Sequence, residues 1–554
     1  MRHLIFWGAG ATQSLGIRTT VEQEKFICSL TDAADLGRSL QERVSRALGR
    51  SDEDRWRAAL FDLITILGDD DAAYRSIGAI EADHLAAMRR NWQKDASEPE
   101  LRDRITDLRL VYDWPALKSV VRLCPGRTTG RFKLNDLFNL LDMHIPPGSG
   151  FRDSAHGGRD RTDSQRTPQF LDVRRLVGAR NALLIILIAM FYIDYRVCID
   201  TKREDLEKYR DFLIVLGRRM QTEALRLPTE RGFAEPEFYQ GDVSFVSINY
   251  DPIALWAGFI ANRELNHSAA VPHIGSPAVP LHLFHDMGHL IPSRGIAPRQ
   301  PNAAWYPMNE AAAQRLNELS SGGEARVRLT KFLFPHGSLC WRECPDCGKL
   351  SAYHGDNWDL CSRGLIPPPP LRSFDSEPCP AGISDDERGQ RERGAVDARK
   401  CLHCDTMTFA HHTQVMMQSS FKPRPPSFIE EIERDLRATT MRADHVIFMG
   451  YSLPLDDVTY RAFLSARRQC SGLAGEVHCT VVGKPEKNPA WYGPDELKKR
   501  IAAGDLKESS PVQAARDIFG EDNVRLYTGG IPGVFLDQGK ATAAKLERLL
   551  TWSR

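Results

Sequence analysis

At 554 residues the chain is too long for one simple core, and two or three domains are expected. Its hydrophobic content of 42% and charged content of 26% are ordinary for a globular protein. The 73 basic residues balance 73 acidic ones, which gives no global electrostatic case for a nucleic-acid or anionic-membrane partner. No charged-then-apolar leader opens the chain, and twelve cysteines without one indicate thiols or a metal site in a reducing compartment. A cytoplasmic location and no membrane association are therefore expected.

In chain order, His3-Leu4-Ile5-Phe6-Trp7 reads as a buried strand that runs into Gly8-Ala9-Gly10-Ala11-Thr12. Residues from about Val21 to Arg122 look helical, and Leu134 to Met143 continues the pattern until Pro146 to Gly150 breaks it. Residues 150–168 read as an exposed loop, and Pro168 to about Leu227 as helix again. The longest apolar run, Ala182 to Ile193, is about half of the roughly 20 residues a spanning helix needs, so it reads as a buried helix. Strand character returns at Val243–Ile248, Lys331–Pro335, His445–Met449 and His478–Val482, with helices expected at Pro426–Ala443 and Val458–Cys470. Short apolar strands alternating with helices predict an α/β protein, a Rossmann-like parallel sheet with helices on both faces. The expected organisation is a sheet domain from residues 1–20 and 240–335, completed by 426–554. A mainly helical insertion covers 21–239, and 336–425 holds the segment of the candidate base His336 and a small zinc-binding module.

The polar motifs stand where the strands end, which is where open α/β sheets bind ligands. Gly8 to Thr12 can present backbone N–H groups and a hydroxyl to a pyrophosphate, or serve as a tight turn. Asn249-Tyr250-Asp251 places an amide and a carboxylate on the same side of an extended continuation, suited to an amide-bearing ligand or to ending a strand. His336-Gly337-Ser338 offers an imidazole as general base, against the plainer reading of a satisfied core histidine. Gly450-Tyr451-Ser452 is a second strand-to-turn glycine with a hydroxyl, suited to phosphate or ribose, or a turn before a helix capped by Asp456 or Asp457. Cys344/Cys347 and Cys401/Cys404 form two C-x-x-C knuckles, able to close a structural tetrahedral Zn²⁺ site. Cys340, Cys361 and Cys379 remain alternative ligands, and free thiols the alternative reading.

Taken together and in this order, these residues resemble the sirtuin superfamily. The family carries a Gly-Ala-Gly-x-Ser/Thr turn, an Asn-x-Asp strand end, a catalytic His-Gly, paired C-x-x-C knuckles and a later Gly-x-Ser-Leu. The resemblance covers residues 1–20 and about 240–485. It implies an NAD-binding Rossmann-like domain with a zinc-bearing module. Gly8, Ala9, Gly10, Ala11, Thr12, Gly450 and Ser452 would bind NAD, with Gly8 to Thr12 and Ser452 at its phosphates. Asn249 and Asp251 would lie at the nicotinamide ribose and carboxamide, and His336 would be the base.

Protein-deacylating sirtuins continue their glycine turn with Gly-Ile-Pro-Asp-Phe-Arg, whereas this chain reads Gly16-Ile17-Arg18-Thr19-Thr20. The Gly-Tyr-Ser-Leu-Pro-x-Asp-Asp form and the large helical insertion look instead like the bacterial sirtuin-like NAD hydrolases of anti-phage defence. The resemblance thus implies cleavage of NAD, as substrate, to nicotinamide and ADP-ribose. An NAD-dependent lysine deacylase and a non-catalytic NAD or ADP-ribose sensor are the alternatives. A depleting enzyme must be silent in resting cells, so a homo-oligomer and a phage-derived or operon-encoded activating partner are expected. The ribose-binding Asn of the family is replaced by Gly483-Lys484, which leaves the adenosine-side contacts open.

Overall fold

The computed structural model describes residues 1–33, 113–145, 170–226, 241–251, 328–343, 427–506 and 508–552, with shorter pieces between them. Seven strands form the central sheet: β1 (His3–Trp7), β2 (Val243–Ser247), β3 (Phe332–Leu333), β4 (His445–Met449), β5 (His478–Val482), β6 (Trp491–Tyr492) and β7 (Val524–Tyr527). Their order is β6-β7-β5-β4-β1-β2-β3, and every pairing is parallel except β6 with β7. Counting the parallel strands alone, the order is 3-2-1-4-5-6, that of doubly wound dinucleotide-binding sheets. β1 and β4 are buried at all five positions, which explains why both read as unbroken apolar runs.

Two strands of the central sheet, β6 and β7, lie beyond residue 485, where the sequence suggests no strand. β7 contains Arg525, buried at 3% exposure, which interrupts the apolar signal. Its guanidinium is satisfied by the Thr480 hydroxyl at 2.7 Å and the Leu549 and Thr551 carbonyls at 2.7 and 2.8 Å. β3 is shorter than the Lys331–Pro335 expectation.

Among the described residues, five α-helices stand between β1 and β2: α1 (Thr20–Thr31), α2 (Trp114–Leu123), α3 (Leu134–His144), α4 (Val173–Thr201) and α5 (Arg203–Arg226). α1 opens on a capping box, in which the Thr19 N–H donates to Glu22 at 2.8 Å. α2 and α4 begin on Asp113 and Asp172, whose side chains each accept a backbone N–H at 2.9 Å. The second Asp113 oxygen takes the Arg175 Nε–H at 2.7 Å and ties the two helices together. α4 is long and apolar enough to cross a membrane, but 94% of its apolar window is buried inside the protein.

Longer helices among the described residues beyond β3 are α6 (Ser427–Arg442), α7 (Val458–Gln469), α8 (Pro494–Ala503), α9 (Ser510–Phe519) and α10 (Ala543–Leu550). α7 packs against α6 and α9, and α5 against α10. Beyond β3, Gly337–Glu343 is the centre of a three-stranded antiparallel sheet, flanked by Leu350–Ala352 and Thr413–Val415. The expected loop at 150–168 is bounded by a ribbon pairing Phe151–Arg152 with Phe170–Leu171, and residues 153–169 lie outside the described residues.

Candidate functional site

The two glycine turns meet at the point where strand order reverses, between β1 and β4. The Gly8 N–H donates to the Met449 carbonyl, and the Gly10 N–H to the Gly450 carbonyl, both at 2.9 Å. Backbone here lies directly on backbone. A Cβ at Gly8 would sit 2.5 Å from the Gly450 carbonyl oxygen, and one at Gly450, where φ is +66°, would sit 2.0 Å from the Ala11 nitrogen. Glycine is thus required at these positions by contact between the turns, and the Gly8 and Gly10 amides are engaged within the protein.

A cleft of about 950 Å³ opens beside these turns, at the upper end of the range of roughly 300–1,000 Å³ for small-molecule sites. Gly8, Ala9, Asn249, Asp251, Gly450 and Ser452 all line it. Gly10, Ala11 and Thr12 are not among the described lining residues; Ala11 and Thr12 are buried behind the wall. The Thr12 hydroxyl donates to the Asp251 carboxylate at 3.3 Å, and the Ile253 N–H to its other oxygen at 3.1 Å. Burial pushes the Asp251 carboxyl up to about 6, against the opposing pull of Ile253, Thr12 and Asn249. The Asn249 amide faces the same carboxylate, but its Nδ2 reaches no acceptor at hydrogen-bond distance among the described residues. Asn249 and Asp251 thus present an amide and a carboxylate side by side at the cleft wall.

His336 is fully buried in the turn after β3, with Nδ1 3.3 Å from the Ile248 carbonyl. Donation from Nδ1–H to that carbonyl makes Nε2 the proton-accepting nitrogen. The ring lies 6.1 Å from that of Tyr250 and 5.6 Å from that of Tyr460, and His336 is not among the described lining residues. The structure therefore brings Asn249 and Asp251 to the cleft and sets His336 one layer behind them.

Asp457 stands at the start of α7 but does not cap it through its side chain. Its carboxylate accepts the Tyr451 hydroxyl at 2.6 Å, and the Tyr451 ring stacks on Phe6 at 5.5 Å. That bond fixes the turn from which the exposed Ser452 reaches the cleft.

Among the described lining residues are three cations, Arg18, Lys133 and Arg461. The Arg18 guanidinium pairs with Asp194 of α4, and its backbone N–H donates to the same carboxylate at 3.0 Å. It lies 4.7 Å over the Phe26 ring. Burial, working against Arg18, lifts the Asp194 carboxyl to about 7. Sequence reasoning registers Arg18 only as a departure from the deacylase pattern, and nothing local announces a partner 176 positions away. At the cleft's rim the Asn135 amide donates to Asp456 at 2.7 Å, linking α3 to the β4 turn.

Cys344, Cys347, Cys401 and Cys404 lie outside the described residues. Among the described residues, no group of three or more His, Cys, Asp or Glu is placed to hold a metal ion.

Fold and site thus define an α/β protein with a mostly parallel sheet and a cleft at its switch point. No protein-family model matches the chain, and no curated protein does.

Proposed function

We propose that this protein hydrolyses NAD at the nicotinamide–ribose bond, releasing nicotinamide and ADP-ribose. The observation that carries the reading is the pair Asn249 and Asp251, an amide and a carboxylate that line the switch-point cleft together. A nicotinamide carboxamide can accept from the Asn249 amide and donate to its oxygen. Asp251, ionised above about pH 6, is a carboxylate beside the position where positive charge develops on the ribose as the bond breaks. Water adds to the ribose carbon, nicotinamide leaves with the bonding pair, and one proton is released. Arg18 and Arg461 supply cations for the pyrophosphate. The two C-x-x-C knuckles would hold a structural zinc ion.

His336 Nε2 is the base in this scheme, acting on the water or on a ribose hydroxyl. Reaching it requires the Ile248–Asp251 segment, whose Ile248 carbonyl and Tyr250 ring lie against His336, to move aside. A requirement of that kind fits an enzyme that must be silent until triggered, whether by homo-oligomerisation or by a phage-derived or operon-encoded partner in anti-phage defence. The same enclosure of His336 favours, as second reading, a sensor that binds NAD or ADP-ribose without turnover.

The test is nicotinamide release from NAD by the purified protein, with His336→Ala and Asn249→Ala alongside, with and without an acetylated peptide. Peptide-independent release that falls by about 10²–10⁴ in His336→Ala is the expected result. Release only with peptide would indicate a deacylase. Tight NAD binding with no turnover, unaffected by His336→Ala, would favour the sensor.

A further inference from the structure

The cleft has an end that the nicotinamide-side reading leaves unused. Asn249 and Asp251 stand beyond β2, Gly8 and Ala9 beyond β1, and Gly450 to Ser452 beyond β4. The strands follow in the order β2, β1, β4, β5, so these groups succeed one another along the edge of the sheet. The next wall is α9, which packs against β5 and α7. Its Ser510, Gln513, Ala514 and Asp517 line the cleft, and a spacing of three, four and seven puts them on one helix face. Val512, Ala515, Ile518 and Phe519 bury the opposite side.

Three strand spacings of about 4.8 Å separate β2 from β5, or roughly 14 Å. That span accommodates a dinucleotide with its pyrophosphate across the glycine turns and one nucleoside on either side. The end of β5 is otherwise occupied: the Gly483 N–H donates to the Tyr527 carbonyl at 2.8 Å, and neither Gly483 nor Lys484 is among the described lining residues.

We propose that the exposed face of α9 is the adenosine-side subsite, with Asp517 accepting hydrogen bonds from the ribose hydroxyls and Gln513 beside it. The proposal rests on the NAD reading of the same cleft. A carboxylate there accepts from an unmodified ribose and repels a 2′-phosphate, so the protein takes NAD in preference to NADP. Arg461 is assigned to the pyrophosphate in the same reading, with one N–H donated to the Leu453 carbonyl at 3.2 Å.

The test compares wild type, Asp517→Asn and Asp517→Lys with NAD and NADP as substrates, and by calorimetry with ADP-ribose. Both substitutions fall on an exposed position, so folding is checked by circular dichroism and expected unchanged. The expected result is a KM for NAD raised about tenfold in Asp517→Lys with kcat within about twofold, and a preference for NAD over NADP that narrows or reverses. Cleavage of NAD by the wild type with no change of KM or preference in either variant would overturn the subsite. Absence of cleavage, with ADP-ribose bound in an Asp517-dependent way, would uphold the subsite, and ADP-ribose bound equally by all three proteins would overturn it. Failure of the wild type to bind NAD or ADP-ribose at all would overturn both.

Discussion

The Tyr209 hydroxyl donates to the Ala11 carbonyl at 2.6 Å, so α5 holds the glycine turn from behind. The same oxygen lies 2.9 Å from the Ser14 hydroxyl, and the ring packs edge-on against Trp7 and Phe535. Burial pushes the phenol far above its ordinary range, so it serves as a neutral donor at every relevant pH. Tyr209→Phe keeps the ring and leaves a carbonyl unsatisfied. A loss of about 1–3 kcal/mol in urea denaturation is expected, with weaker NAD binding because the turn loses its brace.

Contact between the two glycine turns makes a sharper prediction. Gly450→Ala combines a left-handed backbone with a Cβ 2.0 Å from Ala11, and should cost about 3–5 kcal/mol. Gly130→Ala separates the two effects, since Gly130 has φ +70° but nothing within 4 Å of its Cβ position. It should cost only about 1–2 kcal/mol. Equal losses in the two variants would show that backbone conformation alone, and not the meeting of the turns, demands glycine at residue 450.

Much of the sheet is legible in the sequence because β1, β2, β4 and β5 are short and buried, and end in polar turns. Gly8, Asn249 and Gly450 inherit their place at the cleft from that strand-end position. β7 is hidden by Arg525, whose charge is satisfied only by residues brought together in the fold. The capping box at Thr19 and Glu22 is a local signal that marks the start of α1 and escapes a reading based on apolar periodicity alone. The role of α9 is not legible, because an exposed polar helix face looks the same whether it meets solvent or a cleft. Nor is the meeting of Gly8 with Gly450, since contact between turns more than 400 positions apart leaves no local pattern.

Asp251 and His3 give the stability profile two opposite slopes. The Asp251 carboxyl is raised from 3.8 to about 6, so the folded protein holds its proton more tightly than the unfolded chain. Its contribution is present at low pH and is lost as pH rises through that window, by ~3 kcal/mol. His3 is lowered from 6.5 to about 4, chiefly by burial, so the unfolded chain takes up the proton first and stability is lost as pH falls across that range. Asp251→Asn, whose Oδ1 still accepts from Ile253, should therefore be at least as stable as wild type at neutral pH while losing NAD turnover. His3→Gln should flatten the acid limb. Denaturant midpoints measured between about pH 4 and 7 check both, and parallel profiles for all three proteins would contradict the assignment of either slope.

Arg18 and Asp194 show how a cleft cation can be positioned at little expense to the fold. A buried ion pair that loses one partner ordinarily costs about 3–5 kcal/mol, because the other charge is stranded. Asp194 is different: burial already lifts it to about 7, so without Arg18 it takes up a proton near neutral pH and strands no charge. The Arg18 backbone N–H still donates to it. Arg18→Ala should accordingly change stability by only about 1 kcal/mol. Loss of a charge-assisted contact to the pyrophosphate should raise the KM for NAD by about 10- to 100-fold. Arg18→Lys retains charge without the planar fork and should fall between the two. A variant that unfolds but, where folded, binds NAD normally would make the pair structural and remove Arg18 from the site.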